Sequence, residues 1–185
     1  MVDRKRAENA VRELLAAIGE DVTREGLRET PERVARMLEE LTAGYADRAE
    51  EHLGKTFAES GSALVIERDI AFSSTCEHHL MPFFGRVHIA YVPDGKVAGL
   101  SKLARTVEVY ARRLQLQERM NAQIADAIYR HLAPKGVAVA VEAEHTCMTA
   151  RGVKKTGSST VTYAVRGEIS DGVVAQLLSY TGERK

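Results

Sequence analysis

The sequence has no excess charge of either sign, only two cysteines and no long apolar run. Acidic and basic side chains balance at 26 each, so no overall field favours nucleic acid or an anionic membrane. Any polyanion must be met by a local cluster. No window approaches the length that spans a bilayer, and the charged N-terminus lacks an apolar run of secretory type. A cytoplasmic protein is expected, with no membrane or nucleic-acid partner. In that reducing compartment two cysteines serve more readily as thiols or metal ligands than as a disulfide, Cys76–Cys147 pairing being the bland alternative. Internal repeats and low-complexity segments are also missing. The 185 residues suffice for one domain with a helical extension and a sizeable core.

What is present is concentrated. Cys76-Glu77-His78-His79 and His145-Thr146-Cys147 hold both cysteines and three of the six histidines. Cys76 and His79 have the Cys-x-x-His spacing by which one turn grips a metal, and Cys147 can supply a third ligand from a distant segment. Three protein ligands leave one zinc position open, which a catalytic zinc needs and a structural zinc lacks. A closed zinc with His78 or His145 as fourth ligand would look similar in sequence. With the position open, zinc can lower the pKa of its bound water to about 7, which implies hydrolytic attack. His78 and His145 are then candidate proton carriers.

Apolar residues recur at helical spacing from Asp3 to Ile18, and Thr30-Pro31 caps a second helix that runs to Leu41. The polar stretch Tyr45–Ser62 reads as a loop or short helix. Two regions are therefore expected, an N-terminal helical pair over 1–62 and a catalytic domain over 63–185. In the second, Leu64–Ser73 and Arg86–Val92 read as strands joined through the Cys-Glu-His-His segment. Ser101 caps a long or broken helix from Lys102 to Leu132, Val137–Glu144 and Thr160–Gly167 are two more strands, and Val173–Leu178 is a last short helix. Strands arriving in sequential pairs indicate an α+β fold, a four-stranded antiparallel sheet with helices on one face. Its two open edges invite closure by neighbouring subunits.

Ser101, Lys102 and Arg105 lie at a helix start, where free N–H groups and the dipole favour an anion such as phosphate. Arg151, Lys154 and Lys155 add positive charge after Cys147; for the two lysines a solvated basic face is as good a reading. Glu118 opens another helical run, and its carboxylate could accept two parallel hydrogen bonds from guanine, although a glutamate there is often only a dipole partner. His88 and His131 read as structural or solvated.

Together these residues resemble the GTP cyclohydrolase I family. The resemblance runs through Arg24-Glu25-Gly26-Leu27, Thr30–Ala35, Cys76–Phe83, Gly99–Lys102 with Arg105, Arg113–Arg119, and His145–Met148 with Arg151-Gly152-Val153. It implies zinc held by Cys76, His79 and Cys147, and catalysis by His78 and His145. It implies guanine read by Glu118 helped by Gln117, and triphosphate gripped by Ser101, Lys102, Arg105 and Arg151. The implied reaction opens the guanine ring of GTP at carbon 8, releases formate and rearranges the ribose to give 7,8-dihydroneopterin triphosphate, the first step of pterin and tetrahydrofolate synthesis. The implied fold is the tunnelling fold, with sheets joined across subunits into a barrel, commonly a decamer of two pentamers. Val22 and Met120 depart from the family pattern away from this chemistry. The short segment before the first helix carries the expectation that no regulatory protein binds. A nitrile reductase with a nucleophilic cysteine and a non-catalytic zinc module are the competing readings.

Overall fold

The computed structural model describes residues 2–61 and 63–182; Ser62, where the expected helical region ends, lies outside the described residues. α1 (Arg4–Ala17) starts where the Asp3 side chain accepts a hydrogen bond from the Arg6 N–H, which satisfies one of the unpaired donors of the first turn. α2 (Glu25–Arg28) leads into α3 (Thr30–Leu41), with Pro31 in its first turn, where its missing N–H costs nothing. α1 packs on α3 and buries none of its own residues. A single 3-10 turn (Ala43–Tyr45) and α4 (Ala49–Leu53) follow, then β1 (Thr56–Ala58). Ala49 and Leu53 are buried in the same core as the residues of the sheet.

β2 (Val65–Cys76) and β3 (Pro82–Val92) form a long hairpin, and β4 (Lys96–Ala98) returns to pair antiparallel with β1. Then come α5 (Leu100–Ala111), β5 (Leu114–Gln115), α6 (Gln117–Leu132), β6 (Gly136–His145), α7 (Thr146–Thr149), β7 (Thr160–Gly167) and α8 (Asp171–Ser179). The main sheet has the order β5-β2-β3-β6-β7. The α+β class holds, but two details of the expected sheet do not. The sheet has five strands rather than four and is mixed, because β5 runs parallel to β2, with Thr75 beside Leu114 and Cys76 beside Gln115. A two-residue strand has no period for a sequence to display.

The helices also occupy both faces instead of one. Val87, Ile89 and Tyr91 of β3 and Val137, Val139 and Val141 of β6 pack into the core that includes Leu103 and Val107 of α5 and Ile124 and Ile128 of α6. The alternate residues Ala90, Ala138 and Ala140 point the other way, onto Leu177 of α8. β6 is therefore buried at each of its first six positions, as a strand covered on both faces must be.

Two local features shape the sheet. At Gly85 a Cβ would come within 1.9 Å of the Glu142 carbonyl, so only glycine lets β3 and β6 approach this closely near their site end. In β2 a bulge between Glu67 and Ile70 puts Asp69 at φ 61°, and its N–H donates to Nδ1 of the buried His88 at 3.2 Å.

Candidate active site

β2, β3 and β6 end side by side, and their ends carry the chemistry. Cys76 is the last residue of β2, so the strand reaches further than its polar Ser-Ser-Thr run suggested. The chain then turns back within five residues: the Cys76 N–H donates to the Met81 carbonyl at 2.8 Å, and the Leu80 N–H to the Cys76 carbonyl at 2.9 Å. Leu80 takes up the reversal with φ 54°. Cys147 arrives from β6 in the first turn of α7, where the Thr146 hydroxyl donates to the Pro82 carbonyl at 2.6 Å and ties the two chain ends together.

The ligand atoms of Cys76, His79 and Cys147 all lie within 4.8 Å of one another, with Cys76 Sγ 4.0 Å from His79 Nδ1. A tetrahedral zinc, with bonds of about 2.3 Å to sulfur and about 2.0 Å to nitrogen, needs donors roughly 3.5–3.8 Å apart. The three groups thus need to close by about an ångström or less. Two soft sulfurs and an imidazole are also a donor set that zinc favours. Burial pushes the Cys147 thiol above its ordinary pKa, and the neighbouring Cys76 adds to the shift. Two adjacent thiolates repel each other unless a cation lies between them.

The histidines beside the ligands differ in setting. His78 is exposed, its ring edge-on to that of His79 at 6.1 Å. His145, the last residue of β6, lies opposite Phe83 in the β3–β6 register and stacks on its ring, 4.6 Å away and 9° from parallel. Burial lowers the pKa of His145, a nearby Glu118 carboxylate opposing the shift, so the imidazole is neutral at pH 7. Its Nε2 lies 2.8 Å from Oε1 of the buried Gln117. Glu118 itself is exposed at the start of α6.

Arg119, the next residue, donates to both carboxylate oxygens of Glu77, to Gln115 Oε1 and to the Leu114 carbonyl, which fastens the turn carrying Cys76 and His79 to the start of α6. Sequence reasoning assigned no role to Phe83, Thr146, Glu77 or Arg119.

Not every candidate is gathered here. Arg151 is close enough to act on Cys147 electrostatically. Ser101, Lys102 and Arg105 stand on the first turns of α5, whose N-cap is Gly99 rather than Ser101. α5 leads at its other end into β5, which pairs with Cys76. At 1.5 Å per residue, Ser101, Lys102 and Arg105 stand about 15, 13 and 9 Å along α5 from its Ala111 end. Arg105 acts instead on Asp47, which pairs with His52 at 2.9 Å.

The model of the family described as GTP cyclohydrolase I matches residues 7–179. The chain belongs to the GTP cyclohydrolase I family. It is 58% identical over 166 residues to the GTP cyclohydrolase 1 of Clostridium kluyveri, covering 90% of each chain. It is 56% identical to that of Carboxydothermus hydrogenoformans over 95% of this chain and 92% of the relative. It is 55% identical to that of Streptococcus sanguinis, covering 91% and 92%. Membership makes the chain an enzyme of the cyclohydrolase type, and no helix among the described residues is long and apolar enough to cross a membrane.

Proposed function

We propose that the chain converts GTP and water to formate and 7,8-dihydroneopterin triphosphate, the entry to pterin and tetrahydrofolate synthesis, with zinc held by Cys76, His79 and Cys147. The observation that carries the reading is the convergence of those three ligand atoms within 4.8 Å beside a neutral, stacked His145. When bound there, zinc supplies Lewis acidity that makes water a nucleophile near neutral pH. His145 carries a proton to nitrogen 7 of the guanine ring, and His78, exposed on the same turn as His79, serves the ribose side. Glu118 accepts from the ring N–H and the amino group of guanine, with Gln117 beside it. Arg151 meets the triphosphate at the metal end.

Ser101, Lys102 and Arg105 grip the triphosphate of a substrate bound to a neighbouring subunit, a reading supported by their place at the far end of α5 from the segment that pairs with Cys76. The active form is accordingly a homo-oligomer, a tunnelling-fold barrel assembled as a decamer of two pentamers and working in the cytoplasm. The test is to incubate zinc-loaded protein with GTP and assay formate and, after oxidation, pterin fluorescence. Absence of both with zinc retained would sink the reading. His145→Ala should abolish product and leave zinc bound; loss of the metal would make His145 a ligand instead.

A further inference from the structure

Gln117 is 2% exposed, and its side chain lies against β6 and β7. The amide nitrogen donates to the Val141 carbonyl at 3.1 Å, the Thr160 carbonyl at 2.9 Å and the Thr162 hydroxyl at 3.2 Å. Carbonyl oxygens have no proton to give, so turning the amide end for end would set oxygen against oxygen. The sheet therefore fixes the amide, leaving Oε1 2.8 Å from His145 Nε2. An amide oxygen only accepts, so Nε2 must carry hydrogen; in a neutral imidazole Nδ1 is then bare. Phe83 holds the plane of the same ring.

We propose that Gln117 is a positioning residue that keeps His145 in the Nε2–H tautomer, making Nδ1 the one atom through which His145 moves a proton. This rests on the cyclohydrolase reading above and sharpens it, because an amide already committed on both ends has no group to offer guanine. As water adds to carbon 8, Nδ1 takes the proton that the water sheds and delivers it to nitrogen 7. The C8=N7 double bond becomes single, carbon 8 gains a hydroxyl, nitrogen 7 gains a hydrogen, and the imidazole ends as it began.

The experiment reads the tautomer directly, by solid-state 15N spectra of histidine-labelled, zinc-loaded protein, with His145→Ala identifying the resonances. The expected result is a protonated Nε2 and a bare Nδ1 in the wild-type protein. In Gln117→Met that signature should become mixed, with kcat for GTP lower by about 10- to 100-fold and KM little changed. Gln117→Glu, whose carboxyl must hold a hydrogen to meet the Val141 and Thr160 carbonyls, keeps an acceptor for the Nε2 hydrogen in that protonated form and should recover the tautomer and part of kcat. A hydrogen on Nδ1 in the wild-type protein overturns the proposal. So does a Gln117→Met enzyme that keeps kcat and raises KM, which would make Gln117 a substrate contact. If neither variant folds, the wild-type spectrum still decides. Because the spectrum needs no substrate, a wild-type protein that makes no formate would fail the cyclohydrolase reading separately.

Discussion

At the scale of single residues, environment separates side chains of the same type. His79 faces two sulfurs, His145 is stacked and neutral, and His88 is buried under α8 with its Nε2 unpartnered. Burial holds the His88 pKa below its ordinary 6.5. The sign follows from proton counting: below pH 6.5 the unfolded chain binds a proton that folded His88 refuses, so stability is full above that pH and falls as pH drops toward the folded value. His145 contributes in the same direction. Urea midpoints of metal-free protein should therefore fall between pH 7.5 and 5.5. His88→Asn, which keeps an acceptor at the δ position for the Asp69 N–H, should flatten the fall; an equally steep fall would assign it to other groups. Glu118→Ala tests a different residue-scale claim. If Glu118 reads guanine, the ratio of kcat/KM for GTP over ATP should collapse by about tenfold or more, since a good bidentate pair contributes about 1–3 kcal/mol of discrimination. An unchanged ratio would remove Glu118 from that role.

Among the elements, the long ones were legible in the sequence because their periods were strong. α1, α3, β6 and β7 all lie within a few residues of where the apolar spacing puts them. The short elements were not. β1, β4 and β5 have three, three and two residues, too few to display a period, whereas the short α8 was legible from Val173, Val174, Leu177 and Leu178. The site was legible as residue types and spacings, but the Phe83 stack and the Arg119–Glu77 tie depend on strand register and helix entry, which spacing does not encode. Register also explains Gly85. Its replacement by alanine drives a methyl into the Glu142 carbonyl, and should cost about 3 kcal/mol in urea unfolding. By contrast, Gly172→Ala, in the first turn of α8 with only the Ser170 hydroxyl near at 3.9 Å, should be neutral or gain up to about 1 kcal/mol. Equal costs at the two positions would show that the β3–β6 approach is slack.

For the whole molecule, the separation along α5 has the largest consequence. If Ser101, Lys102 and Arg105 serve a neighbour's metal turn, then Lys102→Ala and His145→Ala chains, each inactive alone, should regain part of the activity when assembled together. Formate release from co-expressed chains measures this, and two dead variants that stay dead in the hybrid would place the whole site within one chain. β7 is an end strand of the sheet, with Val161 and Tyr163 44% and 59% exposed, and it offers a free edge for such an assembly.

The hold of β7 on Gln117 also sets an order of events during synthesis of the chain. A nascent polypeptide that has just released Cys147 from the ribosome owns all three sulfur and imidazole donors and could capture an ion. Thr160 and Thr162, which aim the Gln117 amide, have not yet emerged. The partners that aim Gln117 at His145 are therefore made only after the last of the three candidate ligand residues.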